Sequence, residues 1–158
     1  MSKIQIIDSA LLAQVSAQAE TSPRRRKNYN FHASETDISS RLLNAVEMDS
    51  YIPPHRHNDI TKDETLVIVR GRVGVVFFDN NGAVTGKATL EPAGEAVGVN
   101  IPHGVFHTLV ALAPGSIFFE AKAGPYRTLA PEETAPWAPR EGEPQATAYL
   151  EEMKHLFS

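Results

Sequence analysis

The middle of the chain is a succession of short β-type segments with no helical pattern between them, which strongly limits the folds it can adopt. Turn signals separate the segments, among them Asp79-Asn80-Asn81-Gly82 and Ala113-Pro114-Gly115. Strands this short, repeated at roughly ten-residue spacing, predict an all-β antiparallel sandwich or barrel. Residues 64–79, rich in Val, Ile, Leu and Phe, predict two strands, and further strands are predicted at residues 84–90, 96–101, 105–112 and 116–121.

The N-terminal flank predicts a strand, a helix and a second strand. Residues 3–7 favour a short strand that adds to a sheet edge or to a neighbouring subunit. Asp8 or Ser9 then caps a helix that ends before Thr21-Ser22-Pro23, because the residue before proline disfavours helical geometry. Residues 28–32 alternate polar and aromatic side chains, as a half-buried strand does.

The C-terminal flank predicts a strap and a closing helix. Residues 124–144 are rich in proline and favour an extended strap, neither strand nor helix, anchored by the burial of Trp137. Residues 145–157 favour a helix. We therefore expect one domain over residues 1–158, with an N-terminal part at 1–32, a barrel at 33–123 and the strap and helix at 124–158.

Composition excludes several classes of function. The chain has 158 residues and no cysteine, so any metal must be held by nitrogen and oxygen ligands. Its net charge of −4 argues against nucleic acid as a partner. The apolar start is interrupted by Asp8, Ser9 and Gln14, which argues against a signal peptide, and no apolar run is long enough for a membrane helix. We expect a cytoplasmic protein without a membrane partner.

Three histidines and a glutamate predict a metal site. His55 and His57 lie two apart, so they project to the same face of an extended segment. Glu64 opens the next strand, and His107 follows a tight turn on a later one. Imidazoles and a carboxylate suit one divalent transition metal, Fe, Mn, Ni, Zn or Cu, and ligand type alone does not choose among them.

These motifs resemble those of the cupins, a superfamily of small jelly-roll barrels. The first cupin motif, a His-x-His pair, a glutamate, six residues and a glycine, is matched by His55-Arg56-His57, Glu64 and Gly71. The second, Pro-x-Gly-x-x-His, is matched by residues 102–107. The resemblance implies a cupin fold (a double-stranded β-helix) with short N-terminal and C-terminal helices, and cupins of this size commonly form homodimers.

One spacing departs from the cupin pattern. Six residues separate His57 from Glu64, where three or four are usual, so the intervening loop is longer. Asp63 and Asp59 are therefore alternative ligands. We favour Glu64, because its six-residue spacing to Gly71 places it correctly on the strand.

A larger part of the chain is similar to a narrower group, the WbuC-family cupin-fold metalloproteins. That resemblance implies a link to bacterial surface-polysaccharide (O-antigen) metabolism, without an established reaction. The segments that carry it are SPRRRKNYNFH at residues 22–32, SYIPPHRH at 50–57, FEAKAGPY at 119–126 and APWAP at 135–139.

Several side chains outside the metal motifs are candidates for catalysis or substrate binding. Glu120 and Lys122 share one face of the last strand; facing inward they form a pocket-lining charge pair, and facing outward a solvated one. With Tyr51, they are our candidates for proton transfer. The candidates for substrate binding are Arg25 and Arg26 in the basic segment 24–27, Arg41 and Tyr126.

Our leading hypothesis is a metal-dependent enzyme, such as an isomerase, oxygenase or lyase, acting on a small polar or anionic molecule. A sugar or sugar nucleotide is the substrate class that the WbuC resemblance implies. The alternative is a non-catalytic carbohydrate-binding or sensing module that uses the same barrel. A third possibility is a metal that only stabilises the barrel.

Overall fold

The computed structural model describes residues 3–158, which form two antiparallel sheets packed face to face. One sheet has five strands in the order β1-β2-β8-β3-β6, and the other has three in the order β5-β4-β7. The all-β prediction is therefore confirmed. The strands are β1 Arg26–Asn30, β2 Ser39–Val46, β3 Glu64–Arg70, β4 Val73–Phe78, β5 Val84–Leu90, β6 Gly98–Ile101, β7 Phe106–Ala111 and β8 Ser116–Ala123.

Helix α1 (Ser9–Thr21) begins at the predicted cap, where the Asp8 carboxylate accepts a hydrogen bond from the Leu11 amide at 2.9 Å. The strand predicted at residues 3–7 does not form within the described chain. Ile4 and Ile6 in that segment are 93% and 68% exposed. Alternating apolar side chains favour a strand, but a strand also needs a partner edge, and this segment pairs with none. Exchange of the segment with a second subunit stays a prediction.

The five-stranded sheet is covered on both faces. Its outer face packs against α1, where Val15 and Ala19 contact Leu43 and Ile117 in one core cluster. Its inner face packs against the three-stranded sheet, where Leu66 belongs to a second cluster. Because both faces exclude water, consecutive residues at 42–46 in β2 and at 116–118 in β8 are buried, without strict alternation.

Strand register brings polar side chains to the inner face of this sheet. In the pairing of β3 with β8, Glu64 lies opposite Lys122 and Leu66 lies opposite Glu120. Residues directly opposite each other on neighbouring strands share a face. Since Leu66 is in the core between the sheets, Glu64, Glu120 and Lys122 all face inward, and the outward alternative for Glu120 and Lys122 is excluded.

The strap crosses one end of the barrel and leads to helix α2 (Ala146–His155). Trp137 packs against Phe78 and Phe106, with ring centroids 4.9 and 5.8 Å apart. The strap prediction omitted one feature, a single 3-10 turn at Pro131–Glu133. Proline at the first helical position needs no amide donor, so it can start such a turn within a proline-rich segment. Within residues 3–158, no helix is both long and apolar enough to cross a membrane.

Candidate metal centre

Two distant segments meet through a short backbone ladder and bring the three histidines together. The His55 amide donates to the His107 carbonyl at 3.0 Å, and the His107 amide donates back to His55 at 2.9 Å. The Gly104 amide, in the Pro-His-Gly turn, donates to the His57 carbonyl at 2.7 Å. The His55–His57 segment is thus extended but paired only at His55, while His107 belongs to β7.

Backbone carbonyls fix the orientation of two imidazole rings. Nδ1 of His55 lies 2.9 Å from the Pro53 carbonyl oxygen, and Nδ1 of His107 lies 2.9 Å from that of Val105. An imidazole that donates from Nδ1 keeps an unprotonated Nε2 for a ligand. Burial, together with the nearby His107 ring, lowers the pKa of His55 to about 3, so its ring is neutral at physiological pH.

Glu64 completes a four-residue cluster. Its Oε2 atom lies 3.2 Å from Nε2 of His107 and 3.4 Å from Nε2 of His57. Ligand atoms of Glu64, His55, His57 and His107 all lie within 4.8 Å of one another. Such an arrangement of three imidazoles and one carboxylate is suited to a divalent transition metal.

Two atoms of the cluster provide an independent test of that fit. Oε2 of Glu64 and Nε2 of His107 are buried, and neither has a hydrogen-bond partner among the described residues. Buried polar atoms without partners are rare, because each loses its hydration without compensation. Both atoms point into the cluster, so a bound cation would satisfy them, and the residues present fit a metal.

The two alternative carboxylates are engaged elsewhere. Asp59 accepts hydrogen bonds from the amide and hydroxyl of Thr61 at 2.9 and 2.7 Å. Asp63 accepts from the amide of His103 at 2.9 Å and lies 2.8 Å from its Nδ1. The long loop before Glu64 therefore folds into a turn, and Glu64 is the carboxylate that the structure brings to the histidines.

Lys122 and Glu120 extend the cluster along the inner face. Nζ of Lys122 lies 3.1 Å from Oε1 of Glu120, 3.3 Å from Nε2 of His57 and 3.9 Å from Oε1 of Glu64. Asn44 donates to Oε2 of Glu120 at 2.8 Å. The two proposed proton-transfer residues on β8 are thus brought to the histidines.

Asn44 is a site residue that the sequence reading missed. It lies on β2 between Leu42 and Val46, and all three occupy the inner side of the strand. A lone amide two residues from an apolar side chain in each direction is the signal that would have indicated it.

The two buried carboxyl groups have opposite pKa shifts. Burial and the neighbouring Glu64 carboxylate raise the pKa of Glu120 to about 8. Burial also opposes ionisation of Glu64, but its contacts with Glu120, His107 and His57 outweigh burial and lower its pKa well below the usual value. For Lys122, burial is outweighed by the two carboxyl groups, so its pKa is raised. At neutral pH Glu64 is ionised and Glu120 carries a proton.

Tyr51 is not brought to this cluster. Its hydroxyl donates to the Pro139 carbonyl in the strap at 2.7 Å, and its ring packs against Tyr149 at 6.0 Å. Burial raises the pKa of Tyr51 above its usual range, so the phenol stays protonated. The side chain anchors the strap, and its predicted part in proton transfer finds no support in this placement.

The three arginines of the basic segment form local ion pairs. Arg24 and Arg26 both donate to the Glu141 carboxylate, with N–O distances of 2.9 and 2.8 Å. Arg25 pairs with Asp49 at 2.9 Å. These guanidinium groups join β1 to neighbouring segments. The structure does not bring Arg25 or Arg26 to the histidine cluster.

Of the other two substrate-binding candidates, Arg41 faces away from the cluster, whereas Tyr126 is near enough to Lys122 to contribute to the raised pKa of that lysine. Arg41 pairs with Ala121 in the β2–β8 register, one position away from Glu120, so it projects from the opposite face of the sheet. Tyr126 lies beyond the end of β8 and is 59% exposed, with its amide donating to Glu35.

Solved structures with a similar fold were found at low sequence identity. TT1209 from Thermus thermophilus is 19% identical, with 76% of this chain and 97% of that chain covered and a TM-score of 0.53. KdgF from a Halomonas species is 20% identical, with 68% and 85% covered and a TM-score of 0.52. The SPY1581 protein of Streptococcus pyogenes is 10% identical, with 80% and 93% covered and a TM-score of 0.52.

The two sheets have a cupin-type jelly-roll fold, and three histidines and a glutamate cluster on their inner face. No curated protein sequence matches the chain. Residues 7–90, more than half of the chain, match the model of a domain of unknown function, DUF6016, and the chain belongs to that family.

Proposed function

We propose that this cupin is a metal-dependent enzyme acting on a small polar or anionic molecule, with the metal held by His55, His57, Glu64 and His107. The observation that carries the proposal is that two buried atoms without hydrogen-bond partners, Oε2 of Glu64 and Nε2 of His107, lie close together. The His55 ring, oriented by its own Nδ1 hydrogen bond, lies beside them. Maintaining such a cluster costs folding free energy, which a bound ion would offset.

When bound, a divalent metal supplies Lewis-acid activation of a ligand oxygen. The chain's own residues supply a proton and a charge beside it. Glu120 accepts hydrogen bonds from Asn44 and Lys122, and its raised pKa favours a protonated carboxyl group that can act as a proton donor. Lys122 keeps a positive charge at the cluster, which favours a substrate with a carboxylate, phosphate or enolate-like oxygen.

A sugar or sugar nucleotide of surface-polysaccharide metabolism is the substrate class that we propose. The support is the resemblance of residues 22–32, 50–57, 119–126 and 135–139 to the WbuC-family cupins. We further propose a homodimer, since the exposed segment at residues 3–7 offers three isoleucines for contact with a second copy.

A second candidate function is ligand binding without catalysis. A groove of about 870 Å³ runs along the strap, and it is lined by residues including Pro54, Arg56, Phe106 and Arg140 but by none of the four cluster residues. The Arg56 guanidinium covers the Phe106 ring at 4.3 Å from its centre. A lining of prolines and other apolar groups with a few charged side chains suits a small ligand such as a carbohydrate.

Metal content tests the proposal directly. Protein purified without a histidine tag is expected to contain stoichiometric metal by elemental analysis. His55→Ala, His57→Ala and His107→Ala are expected to lose it, while His155→Ala, on the exposed face of α2, keeps it. Full metal content in all three ligand variants would remove the site assignment.

Turnover separates the two candidate functions. Metal-loaded protein is incubated with a panel of anionic sugars and nucleotide sugars, and the mixture is followed by NMR. The enzyme proposal expects conversion that His107→Ala abolishes. Binding of a panel member that survives in His107→Ala, without conversion by the wild type, favours the binding module.

A further inference from the structure

The Lys122 ammonium occupies the hydrogen-bonding position that a metal needs at His57. Nζ of Lys122 is 3.3 Å from Nε2 of His57. A lysine ammonium has only donors, so it is the Nε2 lone pair that accepts this hydrogen bond. The same lone pair is required for ligation, since metals bind unprotonated imidazole nitrogen. Nε2 of His57 can serve the lysine or the ion, but not both.

The same ammonium supplies charge that the metal-free cluster lacks. Glu64 is a buried carboxylate, and Nζ of Lys122 lies 3.9 Å from its Oε1 atom. A buried charge without a counter-charge is strongly destabilising. The β3–β8 register places Lys122 directly opposite Glu64, so the backbone holds this cation at the cluster.

Glu120 gives the ammonium a second place to bind. Its Oε1 atom lies 3.1 Å from Nζ, and its other oxygen accepts a hydrogen bond from Asn44. Nζ can therefore release His57 while keeping the contact with Glu120. The lysine side chain is 19% exposed, which leaves room for such a shift.

We propose that Lys122 is a tethered cation that competes with the metal for His57 and Glu64, and so lowers the metal affinity of the site. This inference rests on the proposed metal centre and adds a residue that sets its occupancy. In the metal-free protein Lys122 stabilises the ligand set; on metal binding its ammonium withdraws to Glu120. The competition disfavours weakly binding ions, because an ion must recover the free energy of the lysine contacts before it binds.

Lys122→Met tests the competition, since methionine retains length and removes the ammonium. The dissociation constants for Zn²⁺ and Ni²⁺ are measured by competition with a chromophoric chelator. We expect the variant to bind each ion about tenfold more tightly than the wild type, within the range by which residues next to metal ligands change affinity. We also expect the metal-free variant to unfold at a lower temperature than the metal-free wild type.

Two lysines serve as matched controls. Lys154 has a similarly buried side chain, 18% exposed, but pairs with Glu151 on α2. Lys62 lies near enough to Lys122 for the two positive charges to interact, and its ammonium donates to the Ala123 and Pro125 carbonyls. Lys154→Met and Lys62→Met are expected to leave both dissociation constants within about threefold of wild type, which separates direct competition from loss of charge.

Equal or weaker metal binding by Lys122→Met would overturn the competition while leaving the metal centre intact. No binding by either the wild type or the variant would overturn the metal centre itself, so the two failures are distinguishable. A measurement on the wild type tests the proposal even if the Lys122→Met variant does not fold. The ¹³Cε resonance of Lys122 is expected to shift as Zn²⁺ is added in step with site occupancy, and an unchanged resonance at saturation contradicts the proposal.

Discussion

His55 and His107 are oriented by the same local device, a ring Nδ1–H donated to the carbonyl two residues earlier. The device needs only an extended backbone, which both segments have. It selects the tautomer before any ion arrives, so less side-chain entropy is lost on ligation. His57 lacks such a bond in the described structure, and Lys122 contacts it instead. Of the three rings, His57 is therefore the one whose role depends on a neighbouring side chain.

The glycine of the first cupin motif has a steric reason. Gly71 has φ +80, and a Cβ there would lie 2.5 Å from Oγ and 2.7 Å from Cα of Ser116. We expect Gly71→Ala to lower the free energy of unfolding by about 3 kcal/mol, measured by chemical denaturation, from backbone strain and overpacking together. Gly142→Ala is the control, since Gly142 has φ +86 with nothing within 4 Å, and should lose only about 1 kcal/mol. Equal losses would mean that the Ser116 contact is unimportant.

At the scale of residues, sequence spacing identifies the proposed metal ligands, but it does not identify the side chains that surround them. The His-x-His pair, Glu64 and His107 follow from motif spacing, even though the loop before Glu64 is long. The contact between Lys122 and His57 could not be predicted, because it depends on which strands are neighbours and in which register. Asn44 was missed for the same reason.

At the scale of elements, the ends of a strand were predictable where turn signals lie on both sides of it. They were less predictable in the segments that flank the barrel. β5 has the predicted bounds, Val84–Leu90. β1 is Arg26–Asn30, where residues 28–32 were predicted, because its pairing with β2 sets the ends. Alternation of apolar and polar residues could not predict the burial of β2, because α1 covers the face of β2 that would otherwise be polar. Tertiary pairing decides such cases, and sequence alone does not contain it.

The ion pairs between the N-terminal segment and the strap predict a dependence of stability on pH. Hydrogen bonds from Arg24 and Arg26 lower the pKa of Glu141 to about 2, against a usual 4.5. A lowered folded-state pKa means that the stabilisation is complete above about pH 4.5 and is lost as the pH falls towards 2. We expect Glu141→Gln to cost about 1 kcal/mol near neutral pH, a value reduced for solvent screening because the side chain is one-third exposed.

The measurement is urea denaturation of wild type and Glu141→Gln at several pH values. The difference in unfolding free energy should shrink steadily below pH 4.5. Glu95→Gln, at an exposed position without a described ion pair, is the control and should track the wild type. A difference that persists unchanged to the lowest pH would contradict the role of the ionised Glu141 carboxylate.

At the scale of the whole molecule, ion binding should be coupled to stability. A metal that binds only the folded chain stabilises it by about 2.7 kcal/mol at a concentration one hundred times its dissociation constant. For a chain of this length that corresponds to a rise in Tm of roughly 5–10 °C. We expect Zn²⁺ or Ni²⁺ to raise the Tm in calorimetry and a chelator to reverse the change.

His107→Ala should abolish the metal-dependent rise in Tm, and His155→Ala should preserve it. A rise that persists in His107→Ala would place the ion elsewhere. A large loss of Tm on chelation, with no response to any small-molecule ligand, would instead assign the ion a purely structural role.

The two-bond ladder between His55 and His107 also constrains the order of folding. The partners lie far apart in the chain, so a costly loop must close before they meet. A nascent chain that has emerged only as far as β3 carries His55, His57 and Glu64 but lacks the fourth ligand. Full coordination therefore becomes possible only after β7 has docked. In a refolding experiment, the rate of metal uptake would therefore report the rate at which the barrel closes.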